Sequence, residues 1–356
     1  MYLCKSIKNE ALKRSYSTQI KSRFTTAQYQ SAPEKTVVLN KQLFRRLALF
    51  FALLTTSVLS LFIGVADLSI NDILNADTDK LFILSVSRFP RTISLALAGI
   101  GLSVSGLIMQ HLTRNKFVSP TTAGSLEAAQ LGLLLGFIFF PLAGMVLNTF
   151  LAFAVTFIAS LIFLKIVDSI RVRNIIFVPL VGLMFGGILH SGATFLAVNY
   201  NIVQDMNAWM MGDFSGILAG RYELIYLSLP AIIVTYLYAN QFTVVGMGED
   251  FSKNLGLNYP VVMGLGLFCV SLTISVVVIT AGFIPFLGLV VPNIVTMIYG
   301  DNIKKILPEV ALSGALFLVV CDIIGRLVIY PFEIPIGLTV GIIGGIIFLI
   351  LLLRRK

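Results

Sequence analysis

The chain has 356 residues, of which 57% are hydrophobic and 12% charged, with a mean hydropathy of +0.93. Soluble domains carry about 25% charged residues, so these proportions exclude an ordinary soluble fold and imply a polytopic membrane protein. The net charge of +9 fits basic loops held on an inner face better than nucleic-acid binding, and three scattered cysteines (Cys4, Cys269, Cys321) form neither a disulfide framework nor a metal knuckle.

Residues 1–41 are polar and basic, with Lys13, Arg14, Lys21 and Arg23 against only Glu10 and Glu34 as acids. No apolar run precedes a cleavage site, and the acid-poor, Ser/Thr-rich character loosely resembles a mitochondrial presequence. The reading preferred here is a basic cytoplasmic tail held near the membrane by charge. From residue 42 onward the chain is predicted to be all α-helical and membrane-embedded. Runs of about 20 apolar residues suffice to span. They fall at 43–66, 92–112, 121–140, 145–165, 174–197, 222–243, 259–280, 282–299, 308–330 and 334–353. Gly282, Pro285, Gly288 and Pro292 interrupt the eighth, so a broken helix is expected there.

Charge sets the orientation. Lys41, Arg45 and Arg46 hold the N-terminus in the cytoplasm. The loop with Asp67, Asp72, Asp77 and Asp79 is then outside. The basic residues His111–Lys116, Lys165–Arg173, Lys304–Lys305 and Arg354–Lys356 all fall inside. About ten spans with both termini cytoplasmic satisfy every loop. Three arginines run against this bias. Arg88 and Arg91 precede the second span, and Arg326 lies near the outer end of the ninth. Arginine pairs with carboxylates in bidentate fashion, which suggests an acidic external partner or an anionic solute. The plainer readings are interfacial anchoring for the first two and an i,i+4 pair with Asp322 for the third.

Ionisable groups within spans are few: Glu127, His190 and Asp322. Such groups are functional hypotheses by default, although His190 also suits simple packing among Gly186, Gly187 and Ser191. The spacings Gly182/Gly186 and Gly341/Gly345 permit close helix contact, within one bundle or between subunits. One polar stretch, Gly246–Asn258, stands out after the sixth span. Glu249 and Lys253 make an i,i+4 pair in the favourable order, and Gly256 sits where a helix would stop. It reads as a hairpin tip, either a plain loop or a docking element. No phosphate-binding GxxxxGK[ST] loop, HExxH or Cys/His cluster occurs, so any uphill transport draws energy from a gradient or from another subunit. No catalytic, metal or cofactor site is expected.

Motifs in order through the chain resemble those of FecCD-type permeases, subunits of bacterial ABC importers for iron chelates, haem and cobalamin. They are Arg88-Phe89-Pro90-Arg91; the segment Ser105–Gln110; Arg114-Asn115-Lys116-Phe117-Val118-Ser119-Pro120; Trp209-Met210-Met211-Gly212; Gly248-Glu249 through Leu255-Gly256-Leu257; Gly282–Pro292; Asp322 with Arg326; and Glu333-Ile334-Pro335-Ile336-Gly337. The resemblance runs from about residue 42 to the C-terminus. It implies a permease domain that pairs with a second permease, identical or not, binds two cytoplasmic ATP-binding subunits, and receives solute from an extracytoplasmic binding protein. By the same resemblance, Arg88, Arg91 and Arg326 receive the binding protein. Gly248, Glu249, Lys253, Leu255 and Gly256 couple to the ATPase, and Gly187, His190 and Ser191 line the path. The segment 116–124 is most similar to the branch serving ferric catecholate-type siderophores. The chain departs from many relatives at Lys116-Phe117, at Ser125-Leu126-Glu127 and at Asn293. The expected function is thus an ATP-driven ferric-siderophore importer of the bacterial cytoplasmic membrane. An ion-gradient transporter built around Gly282–Pro292, a membrane enzyme, and haem or cobalamin as solute are the alternatives.

Overall fold

The computed structural model describes residues 32–64, 75, 78–142, 144–170 and 176–354, with side chains between Gln42 and Leu353. Most of the basic tail lies outside these residues, as do Asp67, Asp72, Asp77, Arg171, Arg173, Arg355 and Lys356. The described chain is helical, in two units divided between Phe50 and Phe51. The first unit contains the start of α1 (Ala32–Phe62).

The second unit continues through α2 (Thr78–Ile83), a π-helical turn (Leu84–Arg88) and α3 (Phe89–Leu112). Pro90, two residues past the π turn, offers no N–H to the Val86 carbonyl oxygen four residues back, which accepts instead from Ala219 N–H at 2.8 Å. Then come α4 (Ser125–Phe139), α5 (Met145–Ser169), α6 (Phe177–Asn199) and α7 (Val203–Met210). A 3-10 turn (Glu223–Leu227) leads into α8 (Ser228–Leu237) and α9 (Ala239–Val245). The short α10 (Glu249–Asn254) precedes α11 (Tyr259–Ala281), α12 (Leu287–Tyr299), α13 (Ile303–Leu327) and α14 (Ile336–Arg354).

Helices α3 and α11 form the centre. Helix α3 packs on α11, α12 and α13, and α5 packs on α4 and α11. Small residues make the close crossings possible. A Cβ on Gly99 would lie 2.6 Å from the Gly314 carbonyl oxygen, and one on Gly106 would overlap the backbone of Gly288. Helices α6 and α14 instead show large apolar side chains outward, including Met184, Ile188, Ile342 and Ile346. That is the pattern of surfaces facing lipid or another membrane chain.

Among the described residues, seven helices are long and apolar enough to cross a membrane, or eight if one bent pair is a single span. Several differ from the predicted runs. The second begins earlier, at Thr78, and extends over 35 residues through the π turn. The expected run 121–140 shortens to α4, which begins only after the turn at Gly124, whose φ is +78°. The run 222–243 bends by 67° between α8 and α9. The run 282–299 is not one helix: residues 282–286 are non-helical and α12 has 13 residues. At 1.5 Å per residue α12 reaches about 20 Å, short of a hydrocarbon core of about 30 Å.

Candidate functional site

Three polar regions interrupt the apolar bundle. The first lies where α3 begins and α13 ends. Here Arg91, Arg326 and Asp322 meet. Asp322 Oδ1 accepts from Arg91 Nη2 at 2.8 Å, and Asp322 Oδ2 pairs with Arg326 Nη2 at 2.5 Å. Arg91 Nη1 also reaches Glu333 Oε2 at 2.7 Å. Arg326 donates from Nη1 to the carbonyl oxygens of Ser60 and Ile63 at 3.0 and 2.8 Å, and from Nη2 to Ser60 Oγ. Arg88 donates to the Leu61 carbonyl oxygen at 2.6 Å. The carbonyl oxygens at the end of α1 thus accept from arginines of the π turn and of α13. Sequence reading placed Arg88, Arg91 and Arg326 at one end, and they do gather there. Their guanidinium groups, however, turn inward: Arg88 is 7% exposed and Arg326 5%. The i,i+4 pair of Asp322 with Arg326 is present, but Glu333 and the α1 carbonyls were not foreseen.

The second region is a junction of broken helices. Phe283 N–H donates to the Met210 carbonyl oxygen at 3.2 Å, Asp213 N–H to that of Ala281 at 2.9 Å, and Gly337 N–H to that of Gly212 at 2.9 Å. Segments after α7, after α11 and at the start of α14 therefore satisfy one another's backbone groups, as irregular chain at membrane depth requires. Gly282 takes φ +78° and Phe286 φ +59° to make the turn. Beside the junction lies a cavity of about 470 Å³ whose lining includes Glu127, Gln130, Gly187, His190, Asn207 and Phe283. His190 Nδ1 is 3.2 Å from Gln130 Oε1. Glu127 Oε2 is buried beside Gly186 with no hydrogen-bond partner among the described residues. His190, Gly187 and Ser191 share the exposed face of α6, and Ser191 Oγ donates to the Gly187 carbonyl oxygen at 2.8 Å. Gly187 and His190 line the cavity, whereas Ser191 lies one residue beyond it. Polar groups on the outside of a membrane helix call for water or protein rather than lipid. Glu127 stood out in the sequence as an ionisable group within a span. That it joins His190 depends on the crossing of α4 and α6, where Gly186 packs on Gly124.

The third region is the stretch 246–258, at the opposite end of α3 from Arg91. The 20 residues from Arg91 to His111 rise about 30 Å. Gly248 takes φ +123°, and α10 follows with Glu249 and Lys253 paired at 2.8 Å. That bond raises the Lys253 ammonium pKa above its ordinary value. Ser252 Oγ donates back to the Gly248 carbonyl oxygen at 2.6 Å, and Gly256, at φ +77°, ends the turn. Met247, Phe251 and Leu255, four residues apart, are all exposed, with Leu255 at 58%. A six-residue helix with its apolar side in the open is a built projection rather than a slack loop. Residues of the predicted pair and stop are where sequence reading put them; the Met247–Phe251–Leu255 ridge it passed over, although the i,i+4 spacing was legible.

Among the described residues no group of His, Cys, Asp and Glu could hold a metal. Residues 52–354 match the FecCD transport family. The petrobactin import system permease protein YclN of Bacillus subtilis is 50% identical over 308 residues, covering 86% of this chain and 98% of the relative. The ferric-anguibactin transport system permease protein FatD of Vibrio anguillarum is 45% identical, covering 87% and 98%. A solved inward-facing structure of a metal-chelate type ABC transporter superposes with a TM-score of 0.75 at 23% identity, covering 87% of this chain and 98% of that one. With its broken helices, its two polar ends and this match over nearly all of its membrane region, the chain belongs to the FecCD transport family.

Proposed function

We propose that the chain is the permease subunit of an ATP-driven importer that carries a ferric siderophore through the bacterial cytoplasmic membrane, where it is a multi-pass protein and not itself an enzyme. The observation that carries this reading is the 50% identity to a petrobactin permease along 98% of that protein's length. The solute is a ferric siderophore of the range represented by petrobactin and anguibactin. The short helices α4 and α12 complete about ten crossings together with the eight longer ones, both termini are cytoplasmic, and residues 1–41 form a basic cytoplasmic tail ahead of a permease domain over 42–356. Two cytoplasmic ATP-binding subunits, an extracytoplasmic solute-binding protein and a second permease complete the assembly.

In this reading the α10 end faces the cytoplasm, and the Met247–Phe251–Leu255 ridge seats in an apolar groove of the ATPase. Gly248 and Gly256 set the angle of α10, and Glu249–Lys253 stiffens it. The arginine end faces outward. Acidic groups of the loaded binding protein compete with Asp322 and Glu333 for Arg91, and Arg88 and Arg326 hold the end of α1 that this exchange disturbs. ATP-driven closure of the ATPase pair moves α10 and switches access to the cavity lined by Gly187, His190 and Glu127, with Ser191 beside it. A partner shifts such an equilibrium only by binding one state better than the other, and the ridge supplies that differential contact.

Uptake of radioactive iron by a deletion strain expressing this chain with its partners, offered a panel of siderophores, tests the function. Siderophore-dependent uptake that needs the ATPase is expected. Uptake that survives loss of the ATPase and collapses with an uncoupler would instead establish a gradient-driven carrier. Leu255→Asp should lower uptake at least about tenfold, equivalent to about 1.4 kcal/mol of lost coupling contact, while ATP hydrolysis continues. Arg91→Gln should weaken capture of the binding protein by a similar factor without releasing the ATPase, as read by co-purification.

A further inference from the structure

A second cavity, of about 460 Å³, lies at the α10 end and is separate from the one beside the junction. Its lining includes Gln110, His111, Arg114 and Lys116 from the end of α3 and the turn after it, and Thr243, Met247 and Asp301 from facing segments. Most of the acceptors there are already used. Asp301 pairs with Lys116 Nζ at 2.8 and 3.0 Å through its two carboxylate oxygens, and its carbonyl oxygen lies 3.2 Å from His111 Nε2. Asn302 Oδ1 accepts from Lys305 N–H, Asn115 Oδ1 from Phe117 N–H, and Thr243 Oγ1 from Ile303 N–H.

Donors remain. Gln110 is 4% exposed, and its Nε2 is buried without a partner among the described residues. An amide NH2 carries two protons to donate, and a buried donor left unmet is rare enough to need an explanation. The exposed Arg114, held at φ +52°, places Nη1 3.4 Å from where a Cβ on Gly248 would stand. Its guanidinium has no hydrogen bond or ion pair among the described residues. Most acceptors are engaged, a buried amide NH2 and a guanidinium are unspent, and the one carboxylate in the lining is neutralised by lysine.

We propose that this cavity binds a phosphate group, free or carried on an anionic phospholipid headgroup, with Arg114 at its mouth and the Gln110 amide at its floor. A guanidinium fork matches phosphate oxygens in bidentate fashion, and basic pockets between membrane helices suit phosphorylated headgroups. The ligand sits against Gly246 and Met247, at the joint between α9 and α10, and its occupancy stiffens that joint.

The purified full-length chain tests this without any transport assay. Its thermal midpoint and binding isotherm are measured with inorganic phosphate in detergent, and in nanodiscs of phosphatidylcholine with and without phosphatidylglycerol. A saturable response to inorganic phosphate supports the site with a free anion as ligand; a response confined to phosphatidylglycerol discs supports it with a headgroup as ligand. In either case Arg114→Gln and Gln110→Leu should each weaken binding at least tenfold, while Lys304→Gln, an exposed base outside the cavity, leaves it unchanged. No response to either ligand in a folded wild-type chain overturns the proposal. So does binding that Arg114→Gln and Gln110→Leu leave intact, or that Lys304→Gln weakens as much. Because Arg114 is exposed, its replacement leaves folding intact and keeps the test decisive even if Gln110→Leu fails to fold.

Discussion

Asp322→Asn is expected to destabilise the folded permease by about 3–5 kcal/mol, the range for removing one partner of a buried ion pair. Asp322 is 3% exposed and holds two guanidinium groups at once, one from α3 and one from its own helix. Asparagine keeps the size but removes the charge, leaving Arg326 buried with only the Ser60 and Ile63 oxygens as partners. Arg91 suffers less, because Glu333 still pairs with it. The loss should appear as a lowered thermal midpoint and a smaller monodisperse fraction after extraction. Asp322→Asn combined with Arg326→Gln should recover much of it, since residues in one network do not act additively. A single variant as stable as wild type would mean that the cluster does not hold the ends of α1, α3 and α13 together.

Gly106→Ala should be nearly as damaging, although it adds only a methyl group. The new Cβ would overlap the backbone of Gly288 in α12. Backbone cannot swing aside as a side-chain tip can, so α12 must move away from α3. Overpacking of a close-packed interior costs about 1–3 kcal/mol, and the upper end applies here. Gly192→Ala is the matched control, because among the described residues no packing neighbour lies within 4 Å of its Cβ position. There the higher helix propensity of alanine should stabilise the chain by up to about 1 kcal/mol. Equal midpoints for the two variants would refute the α3–α12 contact.

What sequence reading captured was local. The Glu249–Lys253 and Asp322–Arg326 pairs lie one helical turn apart, and both are present. Gly282 and Pro285 announced that the eighth run would break, and it does. The Gly182/Gly186 spacing serves a contact within the chain, against Thr122–Gly124. Misjudged features depended on distant partners. Nothing near Arg91 in sequence points to Glu333, 242 residues away. Hydropathy cannot distinguish a straight span from one bent by 67°, because both are equally apolar. The order of the spans put the three arginines near one end of the bundle, where they gather, but only packing decides which way a guanidinium turns.

The junction of the segments after α7, after α11 and before α14 has a wider consequence. Its bonds run between main-chain atoms, Phe283 to Met210, Asp213 to Ala281 and Gly337 to Gly212, so they do not depend on which side chains those positions carry. Met210, Phe283 and Asn207, which face the adjacent cavity, can therefore change without untying the joint, whereas Gly212 cannot, because a Cβ there would strike the Phe283 carbonyl oxygen. The joint and the cavity wall are thereby written in different atoms. A lineage built on this frame can reshape the cavity by swapping its side chains, while the backbone joint beside it stays the same.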